Sequence, residues 1–185
     1  LLRRREFHGR PVMGQLGRMF CTAAQNFGFR VVVLDPGDHS PAGAVADRHI
    51  RADYLDAAAL GELASIAAAA TTEFENVPAA ALEYLARSAR VSPTAASVAI
   101  AQDRISEKTF LSGNGFAVAP FAVLRARDDI RALDPALAPG ILKSARLGYD
   151  GKGQVRVRSI DDVGSAFATM HGAPAVLERF IDLAC

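Results

Sequence analysis

The sequence predicts an open α/β sheet with crossover helices, followed by a separate α+β unit. Three observations carry that prediction. Helix-like and strand-like segments alternate through about the first ninety residues, the pattern of strands joined by crossovers. After Ser92-Pro93 the order changes to strand, helix, strand, glycine-rich loop, strand, helix, strand. The chain of 185 residues is half hydrophobic, which is enough apolar material for packed cores and excludes a disordered tail.

In chain order, Leu16, Met19, Phe20, Ala23 and Phe27 fall on one face of a helix over 15–27, with Gly28 as its C-cap. Phe29–Leu34 is a continuous β-branched run, expected to be a strand covered on both faces and stopped by Asp35-Pro36-Gly37. Asp56–Ala68 reads as a helix with Asp56 as N-cap and Leu60 and Leu63 inward. A short strand is expected within Ala69–Phe74, and Asn76-Val77-Pro78 opens a third helix, since proline suits a first turn. Leu1–Met13 should supply a strand ahead of the first helix, but four arginines, a histidine, a glycine and a proline make it a poor buried strand. Beyond the boundary, Thr94–Leu111 is helical with a break near Gln102, and it stops at Ser112-Gly113-Asn114-Gly115. Phe121–Leu124, Gly140–Lys143, Gln154–Arg158 and Ala175–Ile181 are strands, while Asp128–Leu133 and Asp161–Met170 are helices. The boundary is placed at 95/96, giving domains 1–95 and 96–185.

Composition narrows function by exclusion. The net charge is +1, and the first ten residues hold a local +3, so the rest carries no nucleic-acid footprint. Cys21 and Cys185 are too few and too far apart for a disulfide framework or zinc knuckle, so a reducing cytoplasm is the expected setting. His8, His39, His49 and His171 lack metal-ligand spacing, and no metal site is assigned. The apolar stretch Leu63–Ala70 is far shorter than the roughly 20 residues that span a bilayer, and Gln15 and Arg18 interrupt any signal-like segment. The chain begins with Leu1 and ends at Cys185 without a stop signal, so both ends are expected to be cut.

Four segments carry chemistry. In Pro139–Gln154, a strand ending at Lys143 delivers an ammonium to a fixed point, and a loop with Gly148, Gly151 and Gly153 can bring backbone N–H groups close to an anion. The spacing is neither Walker A nor G-x-G-x-x-G; the alternative is a tight hairpin whose glycines serve turn geometry. In Gln102–Lys108, Arg104 and Lys108 share a helical face, read either as solvated surface or as an anion site. Glu73 and Glu75 alternate at the carboxyl end of a strand, where open α/β sheets bind ligands, and the alternative is Asn76 as a helix cap with the acids serving solubility. Gly14-Gln15-Leu16-Gly17 lies at a helix N-terminus, suited to a phosphate or carboxylate.

Taken together, GQLGRM, LDP, EFENVP, AQDRISEK, ILKSARLGYDGKGQ and LERFI, in that order, resemble the N5-carboxyaminoimidazole ribonucleotide synthases, ATP-grasp enzymes of purine biosynthesis. The resemblance runs from about Gly14 to Cys185. It implies a Rossmann-like pre-ATP-grasp domain with a degenerate first strand, followed by a small α+β ATP-grasp lid. The implied reaction phosphorylates bicarbonate with ATP and Mg2+ to carboxyphosphate, which carboxylates aminoimidazole ribonucleotide. Arg104 and Lys143 would contact ATP phosphates, covered by the loop Gly148, Tyr149, Asp150, Gly151, Lys152, Gly153 and Gln154. Glu178, Arg179, Phe180 and Ile181 would form the hinge whose backbone reads the adenine edge. Gln15 and Leu16 would sit by the ribose phosphate of the imidazole substrate, with Glu73 and Asn76 lining the same cleft. Tyr149 and Asp150 would face the imidazole, and Asp150 would orient or deprotonate its amine, the one catalytic role assigned.

Two departures qualify the resemblance. Val12 and Met13 stand where the family has the first two of three consecutive glycines, and His8-Gly9-Arg10-Pro11 replaces its strand. The family's carboxy-terminal domain, with the Mg2+ ligands and the rest of the substrate site, is expected to lie beyond Cys185, so the chain alone is expected to be inactive. A homodimer is expected of the full-length family member, with no nucleic-acid or membrane partner. The competing readings are a non-catalytic nucleotide-binding or interaction fragment, and another ATP-grasp ligase.

Overall fold

The computed structural model describes residues 15–148 and 153–182. The chain divides into two compact units, Leu1–Ala96 and Ser97–Cys185, and each is taken by itself. The expected first strand, Leu1–Met13, lies outside the described residues.

The first unit contains α1 (Gln15–Asn26), β1 (Val32–Leu34), β2 (Arg48–Ile50), α2 (Ala57–Ile66), β3 (Ala69–Ala70), α3 (Ala79–Leu85) and β4 (Arg90–Val91); α4 (Ala95–Ala101) begins at its end. Its strands pair in parallel, β1 with β2 and β3 with β4, as crossover connections require. Ile50, Ala59, Leu60, Leu63, Ala81 and Leu85 form the core, with Val32, Leu34, Val77 and Tyr84 packed against it. Asp56 caps α2, its Oδ1 accepting the Ala59 N–H at 2.8 Å.

Two readings are corrected here. The β1 strand is half-buried and only three residues long, and Phe29 is exposed, so the apolar run 29–34 is not a strand covered on both faces. The helix α1 forms as the spacing predicts, and its apolar face lies open. Leu16, Met19, Phe20 and Phe27 are 52–81% exposed, while Gly17 and Cys21 are buried. A Cβ added at Gly17 would stand 3.3 Å from Ala42 Cβ and 3.4 Å from Glu73 Oε2, so this contact selects a small residue. Finally, the residue capping α3 is Pro78, without a side-chain hydrogen bond; Asn76 is not its cap.

The second unit holds α5 (Arg104–Gly113), β5 (Phe121–Leu124), β6 (Gly140–Ser144), β7 (Gln154–Val157), α6 (Val163–Thr169) and β8 (Ala175–Arg179), with short 3-10 turns between. The sheet runs β5-β8-β6-β7, antiparallel throughout. Strand alternation divides its faces. Leu124, Leu142, Val157, Ala175 and Leu177 point to one side and pack on Val163, Ala166 and Phe167 of α6. Phe121, Val123 and Val176 point to the other, against Ile105 of α5 and Ala145. Leu124, Leu142, Val157 and Leu177 have no exposed surface, and each such side chain contributes about 1.5–3 kcal/mol by leaving water.

Candidate functional site

Because Leu142 and Leu177 face the core, their neighbours Lys143 and Glu178 must face the opposite side, toward α5. The register places Glu178 across from Ile141 and Lys143 across from Val176. Lys143 Nζ donates to Glu178 Oε2 at 2.8 Å, and Lys108 Nζ of α5 reaches the same oxygen at 3.3 Å. The three side chains are 19%, 9% and 16% exposed for Lys143, Glu178 and Lys108 respectively, so the charged face of α5 is not a solvated surface at Lys108. Two cations therefore converge on one carboxylate, whose second oxygen, Oε1, is buried without a hydrogen-bond partner among the described residues. Burial opposes ionisation of Glu178. The Lys143 hydrogen bond and the charges of Lys143 and Lys108 outweigh it and hold the carboxyl below its usual range.

The root of the glycine loop lies beside this cluster. Asp103 caps α5, its Oδ1 accepting the N–H groups of Ile105 at 3.0 Å and Ser106 at 3.1 Å. Its Oδ2 accepts Arg146 Nε at 2.9 Å, and next to it the Arg104 N–H donates to Ala145 O at 2.8 Å. Ser144 N–H donates to Gly153 O at 2.8 Å, closing the loop's base. Gly153 has φ +68, a conformation that favours glycine, and a Cβ there would also force the Ser144 hydroxyl, 2.5 Å away, to turn aside. Gln154 pairs with Lys143 across the β6–β7 ladder, and Gly148 stands beside Gly153. Tyr149, Asp150, Gly151 and Lys152 lie outside the described residues.

At the end of β8, where a hinge is expected, Arg179 N–H donates to Pro120 O and Phe180 N–H to Pro139 O, both at 2.9 Å, so these two donors are committed within the fold. The Arg156 guanidinium stacks over the Phe180 ring at 4.5 Å. Ile181 is 46% exposed.

In the first unit, the carboxyl ends of the parallel strands bring a second group together. Asp35 follows β1 and builds a turn, accepting Gly37 N–H at 2.7 Å and the Ser40 hydroxyl at 3.1 Å. Glu73 follows β3, is exposed, and lies against Gly17 in the first turn of α1, beside Gln15 and Leu16. Tyr54 packs on Phe74 with ring centroids 6.3 Å apart. Burial first, then the charges of Asp35, Glu73 and Asp53, push its phenol up to about 12. Asn76 is half-buried nearby in sequence. The residue that sequence reasoning left unassigned is Lys108. Its signal was the four-residue spacing from Arg104, but its partner Glu178 is seventy positions away.

Comparison with known proteins also finds two domains. A family model for the ribonucleotide synthetase preATP-grasp domain matches residues 12–102, and one for the ATP-grasp domain matches 109–185. N5-carboxyaminoimidazole ribonucleotide synthase from Brucella melitensis is 47% identical over 91% of this chain and 48% of its own length. That from Pseudomonas aeruginosa is 40% identical over 91% of this chain and 47% of its own. The chain belongs to the N5-carboxyaminoimidazole ribonucleotide synthase family. It spans about half the length of the curated family members it matches. Among solved family structures, the Staphylococcus aureus synthetase complexed with ADP superposes with TM-score 0.84 at 34% identity, covering 92% of this chain and 46% of its own. The Aspergillus clavatus synthase in complex with ADP and 5-aminoimidazole ribonucleotide gives 0.77 at 28% identity, covering 90% and 44%.

Proposed function

We propose that this chain supplies the Rossmann-like pre-ATP-grasp domain, residues 1–95, and the ATP-grasp lid, from 96 onward, of a ligase that uses ATP and bicarbonate to carboxylate aminoimidazole ribonucleotide. The observation that carries this reading is the convergence of Lys108 and Lys143 on Glu178 beside the root of a glycine loop. Two ammonium groups held on one sheet face, 16% and 19% exposed, suit an incoming polyphosphate. Phosphoryl transfer asks the protein chiefly for positioning and charge neutralisation. Lys143, Lys108 and Arg104 provide the charge, and the 148–154 loop excludes water from the labile carboxyphosphate. The hinge Glu178–Ile181 takes the base through the backbone groups not already committed to Pro120 and Pro139. In the first unit, Gln15, Leu16 and Glu73 receive the ribose phosphate end of the imidazole substrate, with Asn76 at its border. Tyr149 and Asp150 complete the imidazole contacts, Asp150 orienting the amine.

Mg2+ belongs to the proposed reaction, but the described residues do not fit it. Among them no group of three or more His, Cys, Asp or Glu could hold a metal ion, and the cluster's own acids are engaged with Lys108, Lys143 and Arg146. No step is therefore assigned to the metal here. A cytoplasmic homodimer remains part of the proposal; no helix among the described residues is long and apolar enough to cross a membrane.

Calorimetric titration of ATP against the chain and its Lys143→Ala variant tests the reading. A charge-assisted hydrogen bond contributes roughly 1.5–3 kcal/mol, so the variant should bind about tenfold to a hundredfold more weakly. Wild-type affinity in the variant would remove Lys143 from the phosphate site.

A further inference from the structure

The described contacts between α5 and the end of β6 include a joint of two neighbouring links. Arg104 N–H donates to Ala145 O at 2.8 Å, and one residue along on each side, Arg146 Nε donates to Asp103 Oδ2 at 2.9 Å. The consequence is spatial. Arg104 and Lys108 ride on α5, Lys143 sits two residues before Ala145 on β6, and any slip between these elements changes the spacing of the cations. Asp103 is placed to prevent that slip because its two oxygens do separate work. Oδ1 caps the helix through Ile105 and Ser106, while Oδ2 holds the root of the glycine loop through Arg146. The Asp103 side chain is 19% exposed and Arg146 62% exposed, so one partner is anchored in the fold and the other reaches in from solvent.

We infer that Asp103 and Arg146 are a positioning pair that sets the α5–β6 joint and thereby tunes nucleotide affinity without touching the nucleotide. This rests on the nucleotide reading above and adds residues to which neither the motifs nor the proposed contacts gave a part. Burial opposes ionisation of Asp103, but the Ser106 N–H, Arg146 and the Ile105 N–H outweigh it and hold the carboxyl below its usual range. The carboxylate is thus charged at neutral pH, as the pair requires.

The two tasks of Asp103 can be separated experimentally. Asn caps a helix as well as Asp does, so Asp103→Asn keeps the cap but turns an amide toward Arg146 and breaks the ion pair. Arg146→Ala breaks it from the other side, and Arg146→Lys restores charge without the planar Nε donor. Residue-resolved hydrogen exchange on the whole chain should show the Arg104 amide exchanging about two- to fivefold faster in Asp103→Asn and in Arg146→Ala, the range of a partly exposed ion pair. The Ile105 and Ser106 amides should keep wild-type protection in both. ADP affinity should fall by a similar factor in each single variant, recover partly in Arg146→Lys, and fall no further in the double variant. Unchanged Arg104 exchange overturns the joint. Faster exchange with unchanged ADP affinity overturns the positioning role. A wild-type chain that takes up no ADP overturns the underlying nucleotide reading, and the exchange comparison then still decides whether the pair holds the joint.

Discussion

Replacing Glu178 by Gln removes one negative charge from between two partly buried ammonium groups. At the separations observed, 2.8 Å to Lys143 and 3.3 Å to Lys108, the gross attractions at an effective dielectric constant near 20 are about 6 and about 5 kcal/mol. Desolvation of the three ions offsets most of that, and breaking such a buried cluster costs about 3–5 kcal/mol, chiefly because the cations left behind lose their counter-charge. Gln keeps the shape and one acceptor, so a loss of about 3 kcal/mol at pH 7 is expected. The pH dependence is the sharper test. Glu178 ionises below the usual range in the folded chain, so its contribution is full above the ordinary Glu value of about 4.3 and disappears as pH falls through the depressed folded value. Urea unfolding of both proteins at stepped pH should therefore show a gap that is widest near neutrality and closes in acid. Adding Lys108→Met to Glu178→Gln should restore part of the loss, since one of the two unneutralised cations goes with it. A gap that stays constant with pH, or a variant as stable as wild type at pH 7, would refute the account of the cluster.

Two further outcomes are expected. Gly140→Ala puts a Cβ 2.5 Å from Leu137 O and 2.8 Å from Glu178 O, both backbone atoms, so β6 must move; a loss of about 1–3 kcal/mol, read as a lowered Tm, is expected, and an unchanged Tm counts against the packing described. In an absorbance titration, one phenol should ionise only near pH 12, and Tyr54→Phe should delete that late step; a Tyr54→Phe curve that still contains it would assign the step elsewhere.

Local patterns in the sequence located what is local in the structure. The break between α4 and α5 falls at Gln102-Asp103 because Asp103 turns from chain to helix cap, and such caps are visible in the residue types alone. The strand expected over Gly140–Lys143 was likewise legible, and it runs one residue further, to Ser144. What escaped is what depends on partners. Periodicity identified the apolar face of α1 but not what covers it, and the side of α1 that is buried instead uses Gly17 and Cys21, whose small size suits close approach rather than hydrophobic burial. The strands β2 and β4 have three and two residues, too few for a period to repeat. Phe29 belongs to a β-branched run, yet the described strand starts at Val32, because ladder pairing with Arg48–Ile50 sets its start. Lys108 looked like one charge in a polar run, and only the fold brings it to Glu178.

The alternation of β6 and β8 has a consequence for how this protein can change. Leu142 and Leu177 fill the core while their immediate neighbours, Lys143 and Glu178, hold the charged cluster, so one reading frame along each strand encodes both. Inserting or deleting a single residue within either strand would drive an ammonium or a carboxylate into the apolar layer and push a leucine out. Length variation in descendants of this sequence is thereby confined to the connecting segments, and the spacing of the charges is inherited from the packing of the apolar side.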